Sequence, residues 1–205
     1  MAERIKLNKV SLREQKQKLA MYERFLPALE ARKQQFLMQL VIVRKEIREQ
    51  EAVLNERIGE ISLWSPLYWD VEKILPFFIS ILQVKSVWKN VAGLKVPEFQ
   101  TVIFDKPPYS LFATPYTFDE VLLKTRETIS LQERIKILKE QERILSEGFR
   151  KTSQRINLYE QRLIPECREA IRKIAVYLQD QQAAAVGVAK VAKALSEEGS
   201  YYVAG

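Results

Sequence analysis

The stretch that decides the fold is LREQKQKLAMYERFLPALEARKQQFLMQLVIVRKEIREQEAVL, residues 12–54. Steps of three and four residues alternate along it and mark a mainly apolar set of positions. These positions are Ile5, Asn8, Leu12, Gln15, Leu19, Tyr22, Leu26, Leu29, Lys33, Phe36, Leu40, Val43, Ile47, Gln50 and Leu54. Such spacing is typical of a coiled-coil seam, the stripe of a helix that packs against a second helix. After Leu54 the steps become four and three, to Ile58 and Ile61, which predicts a register slip.

A second seam runs through the C-terminal part of the chain. Its positions are Leu131, Ile135, Leu138, Glu142, Leu145, Phe149, Thr152, Ile156, Tyr159, Leu163, Cys167, Ala170, Ile174, Tyr177, Gln181, Ala184, Val188, Val191 and Leu195. The order of the steps changes across Pro165, which predicts a second slip. Two such arms can fold back on each other as an antiparallel pair. Pairing between two copies of the chain is the alternative.

Each arm also contains a proline, Pro27 or Pro165. A proline removes a backbone hydrogen bond and costs ~3 kcal/mol inside a helix, an amount that burial of the seam can offset. If Ile5 lies near Leu195 and Ile61 near Leu131, the two prolines fall within about a turn of each other. We therefore expect both helices to bend at one level.

The middle of the chain has a different composition. Six of the eight prolines and all three tryptophans fall between positions 64 and 115. The pattern predicts a short helix over Asp70–Leu82, broken by Pro76, and then a β-hairpin within Lys85–Phe104 that turns at Gly93. A free two-stranded hairpin is only marginally stable in water. Its aromatic side chains therefore need cover from the helices or from a partner.

These patterns predict a mainly α protein, a long antiparallel two-helix coiled-coil hairpin with a small middle region that contains a short helix and a β-hairpin. The predicted parts are an N-terminal arm at 1–62, the middle region at 63–118, a C-terminal arm at 119–196 and a flexible tail at 197–205. At ~1.5 Å per residue the helical seams span ~85 and ~115 Å. The longer second arm overhangs the first, and Ala183–Leu195 is the candidate for the projecting tip.

Composition excludes several chemistries. The chain has no histidine, and its single cysteine, Cys167, lies on the seam, where a small apolar side chain packs well. It also has no phosphate-binding glycine loop and no His/Cys cluster. We therefore expect no catalytic residue, no cofactor and no metal. The longest apolar run, Ile74–Val84, is about half of what a membrane helix needs, so any membrane link is expected to come through other subunits.

The net charge of +7 leaves open binding to nucleic acid, an anionic membrane surface or an acidic protein. Much of this charge is local, because residues 1–18 hold six cations and two glutamates. A static coiled-coil tether or assembly scaffold is compatible with the same features. A nucleic-acid-binding coiled coil is a third alternative, motivated by charge alone, and we expect no nucleic acid among the partners.

Three blocks of sequence carry a family resemblance. They are VPEFQTVIF (96–104), PPYSLFATPYTFDEVLLKTRETI (107–129) and RINLYEQRLIPECREAIRKI (155–174). Together with the arms they resemble the D subunit of V-type and A-type ATP synthases. The resemblance implies a non-catalytic rotor shaft that transmits torque between the catalytic head and the membrane ring, in ATP synthesis or hydrolysis coupled to transport of an ion such as H⁺. It also implies a cytoplasmic location, peripheral on the membrane through the complex.

The resemblance further implies where partners bind. The paired termini would face the subunits of the catalytic head, and the middle region would face a companion central-stalk subunit and a ring-linking subunit. The head-facing candidates are Lys6, Lys9, Arg13, Lys16, Val188, Val191 and Leu195. The stalk- and ring-facing candidates are Trp64, Trp69, Trp88, Phe99 and Phe104. The opening KLNKVSLREQKQKLA and the late segment QDQQAAAVGVAKVAKAL are unusual for the family.

Overall fold

The computed structural model describes residues 6–64, 69–110 and 114–203, together with their side chains except those of Trp64, Ala194 and 196–203. Ile5 and the Trp64 side chain therefore lie outside the described part. The elements in chain order are α1 (Lys9–Trp64), α2 (Trp69–Glu72), a 3₁₀ turn (Leu75–Phe77), β1 (Ile81–Val91), β2 (Leu94–Phe104), α3 (Phe118–Leu158), a π turn (Tyr159–Leu163) and α4 (Ile164–Val203). This confirms the predicted mainly α class, with a helical hairpin, a short helix and a β-hairpin.

The chain divides into two compact units. The terminal unit comprises Met1–Ala31 and Ser153–Gly205, and the central unit comprises Arg32–Thr152. α4 ends at Val203, past position 196, where the sequence placed the end of the second arm.

Ion pairs establish an antiparallel helix pair in the central unit. Arg44 meets Glu142 at 2.6 Å, and Arg57 meets Glu127 at 2.8 Å, so positions rise along α1 while they fall along α3. Buried apolar side chains fill the seam between these pairs. The central unit therefore pairs α1 with α3 within one chain.

The register slip predicted across Pro165 takes the form of a π turn. The Ile164 N–H donates to the Tyr159 carbonyl oxygen, five residues back, so the turn holds one more residue than an α-helix allows. Pro165 follows directly and cannot donate to the carbonyl of Gln161; in a regular helix its ring would press on that carbonyl. The helix continues through the proline because the wider turn comes first.

The two prolines lie on facing stretches of the terminal unit. The Tyr22 and Tyr159 rings are 5.2 Å apart, and Arg168 pairs with Glu23 at 2.9 Å. Tyr159 and Arg168 lie on either side of Pro165 in the sequence. Their partners on α1, Tyr22 and Glu23, precede Pro27 by about one helical turn. The shared bend at the prolines stays a prediction.

The slip predicted after Leu54 is wrong. Ile58 is exposed, whereas Arg57 is partly buried and reaches Glu127. The regular step from Leu54 therefore continues to Arg57. A long arginine can fill a seam position because its apolar stem packs while its charged head stays at the surface.

The hairpin turns at Ala92 and Gly93, and its flanking residues Val91 and Leu94 are directly paired. Both turn residues have positive φ, 49° and 82°, as a type I′ turn requires. The Gly93 N–H also donates to Asn90 Oδ1 at 2.9 Å. The predicted turn is confirmed, although β1 begins at Ile81, and the predicted helix over Asp70–Leu82 is reduced to α2 and the 3₁₀ turn.

Ala92 is strained in this turn, because its Cβ disfavours the left-handed conformation. We expect Ala92→Gly to raise the free energy of unfolding of the central unit by about 1 kcal/mol. Chemical denaturation monitored by circular dichroism will measure it. Replacement of Val87, an exposed strand residue of ordinary conformation, by Gly is the control and should destabilise. An Ala92→Gly protein no more stable than the parent would contradict the account.

The hairpin packs across α1 and α3. Val96 is buried in a cluster with Phe36, Leu40, Val43, Ile47, Leu138 and Leu145, and Leu94 packs against its edge. Gln141 Nε2 donates to the Pro97 carbonyl oxygen, and Gly148 lies under Leu94. Gln141 and Gly148 are therefore more buried than the predicted seam positions Glu142 and Phe149, because the hairpin covers the flank of α3 on which Gln141 and Gly148 lie.

Gly148 lets the hairpin approach the helix, and Gly59 provides a matched comparison. An added Cβ at Gly59 meets nothing within 4 Å, whereas one at Gly148 overlaps Leu94 Cδ1. We expect Gly59→Ala to stabilise the protein by about 1 kcal/mol through helix propensity. Gly148→Ala gains the same propensity but overpacks the core at a cost of ~1–3 kcal/mol, so its net effect is destabilising. Equal thermal midpoints for the two variants would contradict this packing.

Candidate interaction surfaces

The C-terminal end of α4 exposes its apolar seam. Ile174 is the last buried residue of α4 within the described chain, and every described side chain from 179 to 195 is intermediate or exposed, with Val188, Val191 and Leu195 well exposed. One shallow groove carries the strip, lined by Ala184, Gly187, Val188, Val191, Ala192 and Leu195. The coiled-coil spacing of α4 therefore continues beyond its last buried residue, as expected for a helix that extends past its partner.

The start of α1 is strongly basic. Lys6, Lys9, Arg13 and Lys16 are all exposed, and the first turn of the helix carries no acidic residue. Asn8 caps the helix, since its Oδ1 accepts from the Ser11 N–H at 2.7 Å. The positive end of the helix dipole adds to these charges. The arrangement can attract carboxylates or carbonyl oxygens.

The aromatic candidates of the middle region lie on three different elements. Trp69 on α2 and Trp88 on β1 are each about two-thirds exposed, at 65% and 64%. Phe99 and Phe104 on β2 are partly buried, and the Arg126 guanidinium lies 5.5 Å from the centre of the Phe104 ring. Phe104 therefore already has a structural contact. The two tryptophans are the candidates that the structure leaves accessible.

Arg126 on α3 was missed by the sequence analysis. Its Nη2 donates to the carbonyl oxygens of Phe78 and Asp105, both at 2.7 Å, and its Nε donates to Phe78 at 3.2 Å. The Asp105 N–H in turn donates to the Ser80 carbonyl oxygen at 2.9 Å. Arg126 thus holds the two open ends of the hairpin against α3. The only sequence signal was an arginine inside the apolar pattern of the 107–129 block.

Tyr109 borders a groove beside this arginine. Its hydroxyl donates to Asp119 Oδ1 at 2.5 Å, and its ring packs edge-on against Phe78 and Phe118. The groove has a volume of about 410 Å³ and is lined by Phe104, Tyr109, Asp119, Leu122, Leu123, Arg126, Glu127 and Ser130. The hydrogen bond to Asp119 and then desolvation raise the pKa of Tyr109 above its ordinary value of 10.0.

A pH dependence follows from this hydrogen bond. Because the folded pKa of Tyr109 is raised, its stabilising contribution is present below pH 10.0 and is lost as the pH rises through the folded pKa. We expect Asp119→Asn to shift the Tyr109 titration to lower pH, as measured by tyrosinate absorbance after subtraction of the Tyr109→Phe spectrum. The same Asp119 change in a Tyr109→Phe background is the control. An unmoved titration would contradict the assignment.

Cys167 is buried in the terminal unit, and that burial raises the pKa of its thiol, which disfavours the reactive thiolate. No group of three or more His, Cys, Asp or Glu in the described ranges is placed to hold a metal ion. Within those ranges the helices also lack a stretch long and apolar enough to cross a membrane.

Comparison with known proteins decides the family. The family model of the ATP synthase D subunit matches residues 11–194, which include most of both helical seams, the hairpin and the π turn. The chain belongs to the ATP synthase D-subunit family. It is therefore a subunit of a rotary ATP synthase.

Individual members of this family match over nearly the whole chain. The V-type ATP synthase D subunit of Borreliella burgdorferi is 37% identical over 193 residues, which cover 93% of this chain and 94% of the relative. The V-type ATP synthase D subunit of Chlamydia caviae is 34% identical over 198 residues, which cover 94% of each chain. The family resemblance inferred from the three sequence blocks is confirmed.

Proposed function

We propose that this chain is the central rotor shaft of a V-type ATP synthase. It transmits torque between the catalytic head and the membrane ring, in synthesis or hydrolysis of ATP coupled to transport of an ion such as H⁺. It supplies no catalytic residue. Its partners are the head subunits, a companion central-stalk subunit and a ring-linking subunit, and it stays on the cytoplasmic face, peripheral on the membrane through the complex.

The observation that carries the proposal is the exposed seam of α4. Val188, Val191 and Leu195 keep coiled-coil spacing beyond the last buried residue, Ile174. An apolar stripe of this length is costly in water. A surrounding sleeve of head subunits would cover it, and the alanines and the glycine of the same strip keep that end of the helix narrow.

The packing inside each unit supports a mechanical role. Phe36 and Leu145 in the central unit and Ile174 in the terminal unit are almost fully buried. Ion pairs join α1 to α3 on the outside of the seam, as in Arg134 with Glu46 at 2.7 Å and Lys139 with Glu51 at 2.7 Å. Close-packed seams resist sliding and unwinding, which a helix pair that carries torque must do.

The experiment that tests the proposal is single-molecule rotation. Tyr116 is fully exposed, so Tyr116→Cys in a Cys167→Ser background offers one site for a bead on a complex immobilised through its head. We expect the bead to rotate when ATP is added. A bead placed on the head of a complex held by the head is the control and should stay still. ATP hydrolysis without rotation of the Tyr116→Cys bead would favour the static tether.

The basic start of α1 can be tested in the same complex. We expect replacement of Lys6, Lys9, Arg13 and Lys16 by Gln to weaken assembly or coupled turnover, because these cations face carboxylates or carbonyl oxygens of the head in the proposed arrangement. Replacement of four exposed cations of α3, Lys136, Arg143, Arg150 and Lys151, by Gln removes the same charge elsewhere and is the control. Unchanged assembly and turnover in the first variant would exclude a head contact for this segment.

A further inference from the structure

The apolar seam between α1 and α3 does not fix the register of the two helices by itself. Buried residues such as Leu40 and Ile47 on α1 and Ile135 and Leu138 on α3 repeat with the seven-residue period of a coiled coil. A slide of one helix along the other by seven residues therefore brings apolar positions opposite apolar positions again. Such slides are the alternatives against which the sequence of a helix pair has to specify its register.

Four charged residues beside the seam distinguish these registers. Glu127 and Arg134 are seven residues apart on α3, so they hold equivalent positions of consecutive heptads but carry opposite charges. Arg57 Nη1 lies 2.8 Å from Glu127 Oε2, and Arg134 Nη2 lies 2.7 Å from Glu46 Oε1. Arg57, Glu127 and Arg134 also line one groove, which places them on the same side of the helix pair. We call Glu46, Arg57, Glu127 and Arg134 the register set.

A slide by seven residues in either direction brings like charges of the register set together. In one direction Arg57 moves from Glu127 to Arg134, and in the other Glu46 moves from Arg134 to Glu127. The second slide also carries Arg57 toward Glu120, but that carboxylate already has a lysine partner on its own helix. Each ion pair adds little to stability, because its side chains are partly exposed. The contrast between attraction and repulsion is what discriminates between the registers.

The ion pair between Arg44 and Glu142 lacks this arrangement. It also joins α1 to α3, with 2.6 Å between Arg44 Nε and Glu142 Oε1. The residues seven positions from Glu142 are Ile135 and Phe149, which carry no charge. This pair attracts in the native register, but it meets no like charge in a slid one. It therefore provides a matched comparison for the register set.

We propose that the register set is a conformational device that selects the native register of α1 on α3 during folding, by repulsion in both slid registers. The hairpin needs this register, because Val96 packs in one cluster with Leu40 and Ile47 of α1 and with Leu138 and Leu145 of α3. The proposal concerns the isolated chain and requires neither rotation nor a contact with the catalytic head. It is therefore separate from the proposed function.

The test exchanges the charges of one pair without removing the pair. Glu46→Arg with Arg134→Glu keeps opposite charges together in the native register. It also gives both α1 positions of the register set a positive charge and both α3 positions a negative one, so each slid register gains attraction in place of repulsion. The comparison exchange, Arg44→Glu with Glu142→Arg, likewise keeps its own pair but leaves the register set unchanged.

Paired cysteines report the register in the full chain, in a Cys167→Ser background. Glu51→Cys with Lys139→Cys reports the native register, because the Glu51 and Lys139 side chains meet at 2.7 Å. Glu51→Cys with Gln132→Cys or with Ser146→Cys reports the two slid registers, since both residues are exposed and lie seven positions from Lys139. A bifunctional thiol reagent shorter than the ~10 Å rise of one heptad is added as each protein refolds from denaturant. Mass spectrometry then quantifies the crosslinked chains.

We expect the native-register crosslink to dominate in the parent and in the comparison exchange. In the protein with Glu46→Arg and Arg134→Glu, the slid-register crosslinks should rise about tenfold relative to the parent. Glu46→Gln with Arg134→Gln removes the repulsion without adding attraction, so it should give a smaller rise. Slid-register crosslinks that stay at the parent level in the charge exchange, or that rise equally in the comparison exchange, would overturn the proposal.

Discussion

Arg126→Ala is expected to free the open end of the hairpin from α3, with a loss of about 3 kcal/mol in the free energy that protects the strands from opening. The guanidinium makes charge-assisted hydrogen bonds to the carbonyl oxygens of Phe78 and Asp105 and lies over the Phe104 ring. Alanine leaves both carbonyl oxygens without this donor and removes the cation–π contact. Amide hydrogen exchange of β1 and β2 will measure the loss.

Two comparisons separate this effect from a general loss of charge. Arg143 is another arginine of α3, but its partner is a carboxylate, Glu140, and the pair is exposed on the surface of the helix. We expect Arg143→Ala to leave exchange in the strands nearly unchanged, because exposed ion pairs contribute little to stability. Arg126→Lys keeps the charge without the planar fork and should fall between the two. If Arg126→Ala leaves exchange in the strands as slow as in the parent, the hairpin is held by its apolar side chains alone.

Val188→Asp with Val191→Asp is expected to lower coupled ATP turnover more than about tenfold while the isolated chain stays folded. Both side chains are exposed in the chain by itself, so a charge costs little there. Inside a close-fitting apolar sleeve each carboxylate would have to lose its water, at a cost of several kcal/mol. ATP-driven ion transport by the reconstituted complex will measure the effect.

The matched control for this variant is Val186→Asp. Val186 is also exposed on α4, but it precedes Val188 by two residues and therefore points to nearly the opposite side of the helix. It should reduce turnover less than the double variant. Full turnover by the complex with both Val188→Asp and Val191→Asp would exclude the seam of α4 as a bearing surface.

The sequence predicted those parts of the fold that depend on local repetition. A coiled-coil seam places equivalent residues at fixed steps, so α1, α3 and α4 could be located from spacing alone. The hairpin turn could be located because Gly93 suits a position with positive φ. The same reasoning found the exposed seam at Val188 and Val191, because spacing extends beyond the length of the partner arm.

The errors arose where distant segments meet. Gln141 and Gly148 are more buried than the predicted Glu142 and Phe149 because the hairpin lies over that flank of α3. Helical spacing contains no information about a strand from elsewhere in the chain. The role of Arg126 was missed for the same reason, since its acceptors are backbone carbonyls far from it in sequence. The slip after Leu54 was predicted because Ile58 is apolar and Arg57 is charged, although Arg57 is the residue that keeps the regular step.

The π turn at Tyr159–Leu163 acts as an angular offset. An inserted residue rotates all that follows it by about 100° around the helix axis relative to an uninterrupted helix. The direction in which Val188, Val191 and Leu195 face is therefore set at a turn well before them. A change in the number of residues in that turn would leave the composition of the strip intact and turn it toward a different side.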